Sequence, residues 1–355
     1  MRQLLLASRN PALVGLNPTK VLVRATNWIG DGVMMTPALG MVRQAWPEAE
    51  IVIAANPLVS QLFTHHPWCD RVMIYEKSGR HKGLAGLRKF VGELRQEEFD
   101  LAILFKKAFE AALLAFWAGI PIRAGFGTDM RGMLLTHKTP LTPEIKALHH
   151  SRHYLEMLRA FDVSGEASPL TLALTATEEQ RAFEQTGLRD WLVLNPGAAY
   201  GSAKRWYPER FAEAGNLLAE QMGVGVVVVG GPAEKEIGED IEQQLTAPAV
   251  NLVGKTTVRE MMAVIAKSQL AISNDSGPMH IAAAFDVPTI AIFGPTDHTT
   301  TYPYTDFARV VHSGADCAPC LKRTCPIDHH CMLDVTAEQV VQTATELLDE
   351  VRQSN

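Results

Sequence analysis

The chain has 355 residues, of which 47% are hydrophobic and 20% charged, with a formal net charge of -6 and a sequence pI near 6.1. This composition excludes an intrinsically disordered chain, which is too polar to bury a core. It also excludes a protein that wraps nucleic acid, which needs a Lys/Arg excess on one face. The length suits two domains, and any anionic ligand must be met by local basic clusters.

The N-terminus, MRQLLLASRN, places one Arg before a four-residue apolar core, too short for a secretory signal. No run approaches the roughly 18 to 20 apolar residues needed to cross a bilayer, so the chain is expected in the cytosol. Residues 1–18 read as a candidate disordered extension, since the first convincing strand begins at Lys20.

From there, short apolar runs alternate with amphipathic stretches, the pattern of parallel strands covered by helices on both faces. Strands are expected at 21–24, 51–54, 71–75 and 101–104, with helices at 36–45, 84–97 and 111–120. A second series follows at 192–194, 224–229, 251–253, 270–273 and 289–293. The predicted architecture is α/β, with a first domain over 19–170, a linker region over 171–190 and a second domain over 191–355. The last helix is a candidate to pack back on the first domain.

The loop after the first strand reads Arg24-Ala25-Thr26-Asn27-Trp28-Ile29-Gly30-Asp31-Gly32-Val33. Glycines on both sides of Asp31 let the backbone approach a ligand and the carboxylate project, which suits a general base. The competing reading is that Asp31 caps the helix entered near Met34. Basic residues follow at Lys77, Arg80, His81, Lys82, Arg88 and Lys89, then at Lys106 and Lys107. With Arg123, Arg131, His137 and Lys138, they either meet an anionic ligand or form a solvated face.

In the second half, Asn195-Pro196-Gly197 follows a strand, and Lys204 precedes a helix that begins near Glu209. A lysine there either neutralises a phosphate or is a surface charge. Glu234, after Gly230-Gly231, either accepts ribose hydroxyls or is a helix-start acid. Ser273-Asn274-Asp275-Ser276-Gly277-Pro278-Met279-His280 joins a strand to a helix. Such a turn presents amides and the positive helix end to a diphosphate, or is a helix capped by Asp275 or Ser276. No Gly-x-Gly-x-x-Gly follows the first strand and no P-loop occurs, which disfavours a dehydrogenase or a P-loop NTPase.

Four of the five cysteines fall at Cys317, Cys320, Cys325 and Cys331, with His329 and His330 between them. The irregular spacing fits reduced thiols packed in a loop or a tetrahedral structural metal. No catalytic metal is expected.

Four stretches in order, RATNWIGDGVMMTPAL, LNPGAAYGSAKRWYPERF, SNDSGPMHIAAAFDVPTIAIFGPTD and CAPCLKRTCPIDHHCM, resemble the ADP-heptose:lipopolysaccharide heptosyltransferases, glycosyltransferase family 9. The resemblance covers almost the whole chain after Lys20. The first and fourth stretches look most similar to the family's second heptosyltransferases. It implies a GT-B type fold, in which two doubly wound parallel-sheet (Rossmann-like) domains face a cleft. The C-terminal domain would hold the ADP-heptose donor and the N-terminal one the lipopolysaccharide inner-core acceptor. Asp31 matches the base and Lys204 the residue on the donor phosphate, while Asp275, Ser276, Gly277, Met279 and His280 match the donor loop, with Glu234 toward the nucleotide. Asn195 and Gly197 join the donor side, and Asn27, Trp28, Lys106 and Arg123 the acceptor side. No cofactor or divalent metal and no nucleic acid is implied; peripheral contact at the cytoplasmic face of the inner membrane is. A related transferase with another core acceptor, or a non-catalytic nucleotide-sugar binder, are the competing functions. The N-terminal extension departs from the family's usual start.

Overall fold

The computed structural model describes residues 12, 13 and 15–354, and the chain divides between Ala173 and Leu174 into two compact units. The first unit holds strands β1 (Lys20–Arg24), β2 (Glu50–Ala55), β3 (Arg71–Ile74), β4 (Leu101–Leu104), β5 (Ile122–Phe126) and β6 (His137–Thr139), in the order β3-β2-β1-β4-β5-β6. The second holds β7 (Trp191–Asn195), β8 (Gly225–Val228), β9 (Ala249–Asn251), β10 (Leu270–Asn274), β11 (Thr289–Ile292) and β12 (Ala308–Val311), in the order β12-β11-β10-β7-β8-β9. Every pairing is parallel.

Numbered within its own sheet, each unit has the order 3-2-1-4-5-6. That order reverses between β1 and β4, and between β7 and β10. The chain leaves the two strands of each pair toward opposite sides, so their following loops part and open a crevice at the carboxyl ends, the usual ligand position in doubly wound sheets.

The central strands are apolar over most of their length because helices cover both faces. All five residues of β7 (WLVLN) and of β10 (LAISN) are buried. In the second unit, Phe211, Ala212, Ala214 and Leu218 of helix Pro208–Met222 pack on this sheet with Val340, Ala344 and Leu347 of helix Ala337–Ser354. The last helix therefore packs within its own unit. In the first unit, Phe90, Val91 and Leu94 of helix Gly83–Gln96 join Ala112, Leu114 and Ala115 of helix Phe109–Trp117 against Leu22, Val52, Ala102 and Leu104.

The expected strands are present, with 251–253 displaced to Ala249–Asn251. Three strands carried no signal that was read: β5 (IRAGF), β6 (HKT) and β12 (ARVV). They lie at or beside the sheet edges, are partly exposed, and so need no continuous apolar run. Of residues 1–18, 1–11 and 14 lie outside the described residues. The described part of that segment is docked: Leu13 is fully buried, its N–H bonds Phe161 O at 2.9 Å, and Leu16 O accepts from the Trp46 indole at 3.1 Å.

The stretch read as linker, 171–190, contains helix Ala176–Thr186, started by a capping box between Thr175 and Glu178 and ended by Gly187 in the left-handed region, φ 62°. Glu178 also accepts from Arg259 of helix Val258–Ala266 at 2.5 and 2.7 Å, fastening the two helices. The Arg259 bonds first, then those from Thr175, hold the Glu178 carboxyl down at about 2. A depressed carboxyl contributes its full stability above its ordinary range and loses it as pH falls toward the folded value. Glu178→Gln should therefore lower the thermal midpoint near neutrality by calorimetry, and the gap to wild type should narrow between about pH 5 and about pH 3. A gap independent of pH would contradict this.

Candidate active site

The β7 and β10 loops of the second unit are tied together at their sheet's reversal point. Asn274 Nδ2 donates to Pro196 O at 2.7 Å, and its Oδ1 accepts the Trp206 N–H at 3.1 Å. Asn195 is buried: its Nδ2 donates to Val229 O at 3.1 Å, and its Oδ1 accepts from Ser276 Oγ at 2.7 Å and Ser273 Oγ at 3.1 Å. Because Ser276 is turned to Asn195, no side chain caps helix Gly277–Ala284, of which it is the N-cap residue. The capping reading of this turn is thereby corrected. Its amides and the positive helix end are presented to the space above the sheet.

Lys204 closes one side of that space. Its Nζ lies 2.5 Å from Asp275 Oδ2, and both side chains are largely buried, 13% and 6% exposed. Thr296 Oγ1 donates to the same carboxylate oxygen at 2.5 Å. Lys204 is thus no solvated surface charge but a cation fixed by a buried partner, with the Tyr200 ring 5.0 Å from its Nζ. Glu234 lies over the neighbouring β8 loop, accepting the Gly231 N–H at 2.7 Å. It is so close to Gly197 that a Cβ there would sit 2.2 Å from both carboxylate oxygens.

Two residues assigned to this loop do not line the space with their side chains. Met279 is fully buried against Ala291 and Phe293, so only its backbone is available to a ligand, and His280 is likewise buried.

In the first unit, Asp31 lies in the first turn of helix Ile29–Met34, whose N-cap Trp28 makes no side-chain cap bond. Asp31 does not cap the helix. Its carboxylate is 28% exposed and Oδ1 lies 3.7 Å from His150 Nδ1. Burial lowers the Lys107 ammonium, and the Asp31 charge opposes that shift. Asn27 and exposed Trp28 sit on the same β1 loop, and Lys106 follows β4, so these candidates gather at the β1/β4 reversal point.

Arg123 does not join them. Its guanidinium bonds the carbonyls of Leu134 at 2.6 Å and Ile120, and stacks on Phe116. Arg131 is fully buried with its donors on the carbonyls of Phe126 and Lys106, and His137 is buried beside Thr136. His81 is buried between Glu76 N and Glu93, whereas Arg80, Lys82, Arg88 and Lys89 are exposed surface charge. Residues that went unremarked are Thr296, Tyr200 and His150; His150 sits in an HHSRH run with no local pattern linking it to Asp31.

The cysteine-rich segment folds onto the Lys204 loop: His329 Nε2 lies 2.8 Å from Ala203 O, Ala203 N donates to Arg323 O at 3.0 Å, and Tyr200 OH donates to Leu321 O at 2.9 Å. Cys317, Cys320, Cys325 and Cys331 line one small cavity as free thiols. Burial first, then the other three thiols, pushes Cys331 up to about 11. Among the described residues, no group of three or more His, Cys, Asp and Glu side chains is disposed to hold a metal ion.

Residues 87–330 match glycosyltransferase family 9 (heptosyltransferase). The lipooligosaccharide heptosyltransferase 2 of Campylobacter jejuni is 31% identical over 335 residues, which cover 93% of this chain and 98% of that protein. The solved structure of Escherichia coli ADP-heptose LPS heptosyltransferase II superposes with a TM-score of 0.79 at 27% identity, covering 94% of this chain and 99% of that one. A glycosyl transferase family 9 structure from Veillonella parvula superposes with a TM-score of 0.85 at 25% identity, covering 94% and 98%.

Proposed function

The chain belongs to glycosyltransferase family 9, the heptosyltransferases, and on that premise we propose that it moves heptose from ADP-heptose onto the inner-core heptose of lipopolysaccharide by one inverting displacement. It is a glycosyltransferase of lipopolysaccharide core synthesis, and its paired parallel sheets are those of the GT-B heptosyltransferases. The observation that carries the reading is the buried Lys204–Asp275–Thr296 cluster beside an uncapped helix start at the β7/β10 reversal point. Such an arrangement suits a diphosphate.

On this reading the residues take the following roles. Asp31 takes the proton of the acceptor hydroxyl as its oxygen attacks the anomeric carbon, and the bond from that carbon to the ADP oxygen breaks. Lys204 and the amides of the Gly277 helix meet the negative charge that grows on the departing ADP, a preorganised field that needs no reorientation during reaction. Asp275 and Thr296 hold Lys204 in place. Asn195 and Ser276 fix the two loops to each other, and Glu234, over Gly197, accepts from the ribose hydroxyls. Asn27, Trp28 and Lys106 serve the acceptor. With the leaving charge met by protein groups, no divalent metal is required. Among the described residues, no helix is long and apolar enough to cross a membrane. The lipid-linked acceptor calls for peripheral contact at the cytoplasmic face of the inner membrane.

The test is a transfer assay in excess chelator, offering ADP-heptose, other nucleotide sugars and core acceptors that end at successive sugars. Transfer from ADP-heptose to a heptose-terminated acceptor is expected. Binding of ADP-heptose with no transfer to any acceptor would leave a nucleotide-sugar binder instead. Gly197→Ala should raise the donor KM by about 10-fold or more through displacement of Glu234, with acceptor KM unchanged, since the added methyl falls inside the carboxylate. An unchanged donor KM would remove Glu234 from the site.

A further inference from the structure

Three cations converge on the carboxyl edge of the first sheet. Arg24 ends β1, Lys77 follows β3 and Lys106 follows β4; with Asn27, Asn56 and Tyr75 they line a cavity of about 370 Å³. Arg24 is 3% exposed and donates through Nη1 to the carbonyls of Ala25 and Ala54, at 3.0 and 2.9 Å, but its Nε has no hydrogen-bond partner among the described residues. The nearby carboxylate, Glu110, is already taken: Tyr75 OH donates to one oxygen at 2.8 Å and Lys77 Nζ lies 3.0 Å from the other. Lys106 pairs with no carboxylate among the described residues.

A buried guanidinium and a half-buried ammonium without an anion are expensive, because both have lost water and each repels the other. The shifts follow that physics. Burial lowers Arg24 to about 10 against the pull of Glu110. Burial, then the Arg24 charge, brings Lys106 down to about 8, with Lys77 adding to the effect and Glu110 opposing it. An oxyanion in the cavity would offset the repulsion between Arg24 and Lys106 by supplying the negative charge that both lack. A solvated lysine face explains Lys77, which is 68% exposed, but not the two cations behind it.

We propose that the Arg24–Lys77–Lys106 cavity binds an oxyanion, a phosphate ester or a carboxylate, carried by the acceptor glycan. The anion site stands on the geometry alone, whereas its assignment to the acceptor rests on the transferase reading. An oxyanion there would fix the acceptor at the same sheet edge that carries the Asp31 loop, acting in ground-state binding rather than on the reacting atoms.

The test uses the full chain with Lys106→Met and Lys77→Met, leaving buried Arg24 intact. Inorganic phosphate, titrated in the presence of saturating ADP to fill the diphosphate site, should bind wild type and lose on the order of 10-fold or more in affinity in each variant. With ADP-heptose saturating the donor site, phosphate should compete with the acceptor. In steady state, Lys106→Met should raise acceptor KM by about 10- to 100-fold with donor KM unchanged. Acceptors stripped of phosphate, or with their carboxylates esterified, separate the two sources: the one that erases the difference between wild type and variant carried the anion. Phosphate binding that is equal in all three proteins would overturn the anion site. Binding lost in the variants, together with an acceptor KM shift that persists for fully neutral acceptors, would overturn the acceptor assignment. Absence of transfer by wild type would sink the transferase reading while the direct titration still reports on the cavity.

Discussion

Asp31→Asn should lower kcat by about 10²- to 10⁴-fold while leaving the dissociation constant for ADP-heptose within about twofold of wild type. Asparagine keeps the shape and the first-turn position in helix Ile29–Met34 but cannot accept the acceptor's proton. The side chain makes no cap bond, so little helix stability is lost with its charge. Steady-state kinetics and calorimetric titration of the donor check both halves. Turnover within a few fold of wild type would remove Asp31 as the base.

Lys204→Met should cost about 10²- to 10³-fold in kcat/KM and also weaken ADP-heptose binding, because the same cation meets diphosphate in the ground state and the greater charge in the transition state. The substitution has a structural consequence that must be separated. Asp275 is 6% exposed, and without Lys204 its carboxylate keeps, among the described residues, only Thr296, so the protein should lose stability by about 3–5 kcal/mol, the cost of an unpaired buried charge. The double variant Lys204→Met with Asp275→Asn removes that charge. Its thermal midpoint should return most of the way to wild type while catalysis stays lost. Recovery of activity along with stability would mean that Lys204 serves only to neutralise Asp275.

Much of this site could be read from the linear chain because the doubly wound fold places function in loops just after apolar strands. The runs at 192–194 and 270–273 marked where β7 and β10 end, and the polar segments following them had to open on one edge. What could not be read was the choice between capping and binding. Ser276 and Asp275 are residue types that serve either purpose, and the decision lies with Asn195 and Lys204, more than 70 residues away, which draw both side chains off the helix. Asp31 was ambiguous for the same reason, and only the backbone shows that it sits past the cap position.

The basic residues illustrate the opposite failure. Arg123 and Arg131 looked like partners for an anion, yet both are spent on backbone carbonyls at the edge of the first sheet, a use with no local pattern. Arg24 and Lys106 sit 82 positions apart and meet only because β1 pairs with β4. The strands β5, β6 and β12 were missed because partly exposed strands at or beside a sheet edge tolerate Arg, Lys and Gly, which break the apolar run by which the inner strands are recognised.

The most direct test of a single displacement driven by Asp31 and Lys204 is the anomeric configuration of the newly formed glycosidic bond, read by NMR on product made from ADP-heptose and a heptose-terminated core acceptor. One heptose should be added, with the configuration opposite to that of the donor. Retention of the donor's configuration, or no product at all, would contradict it.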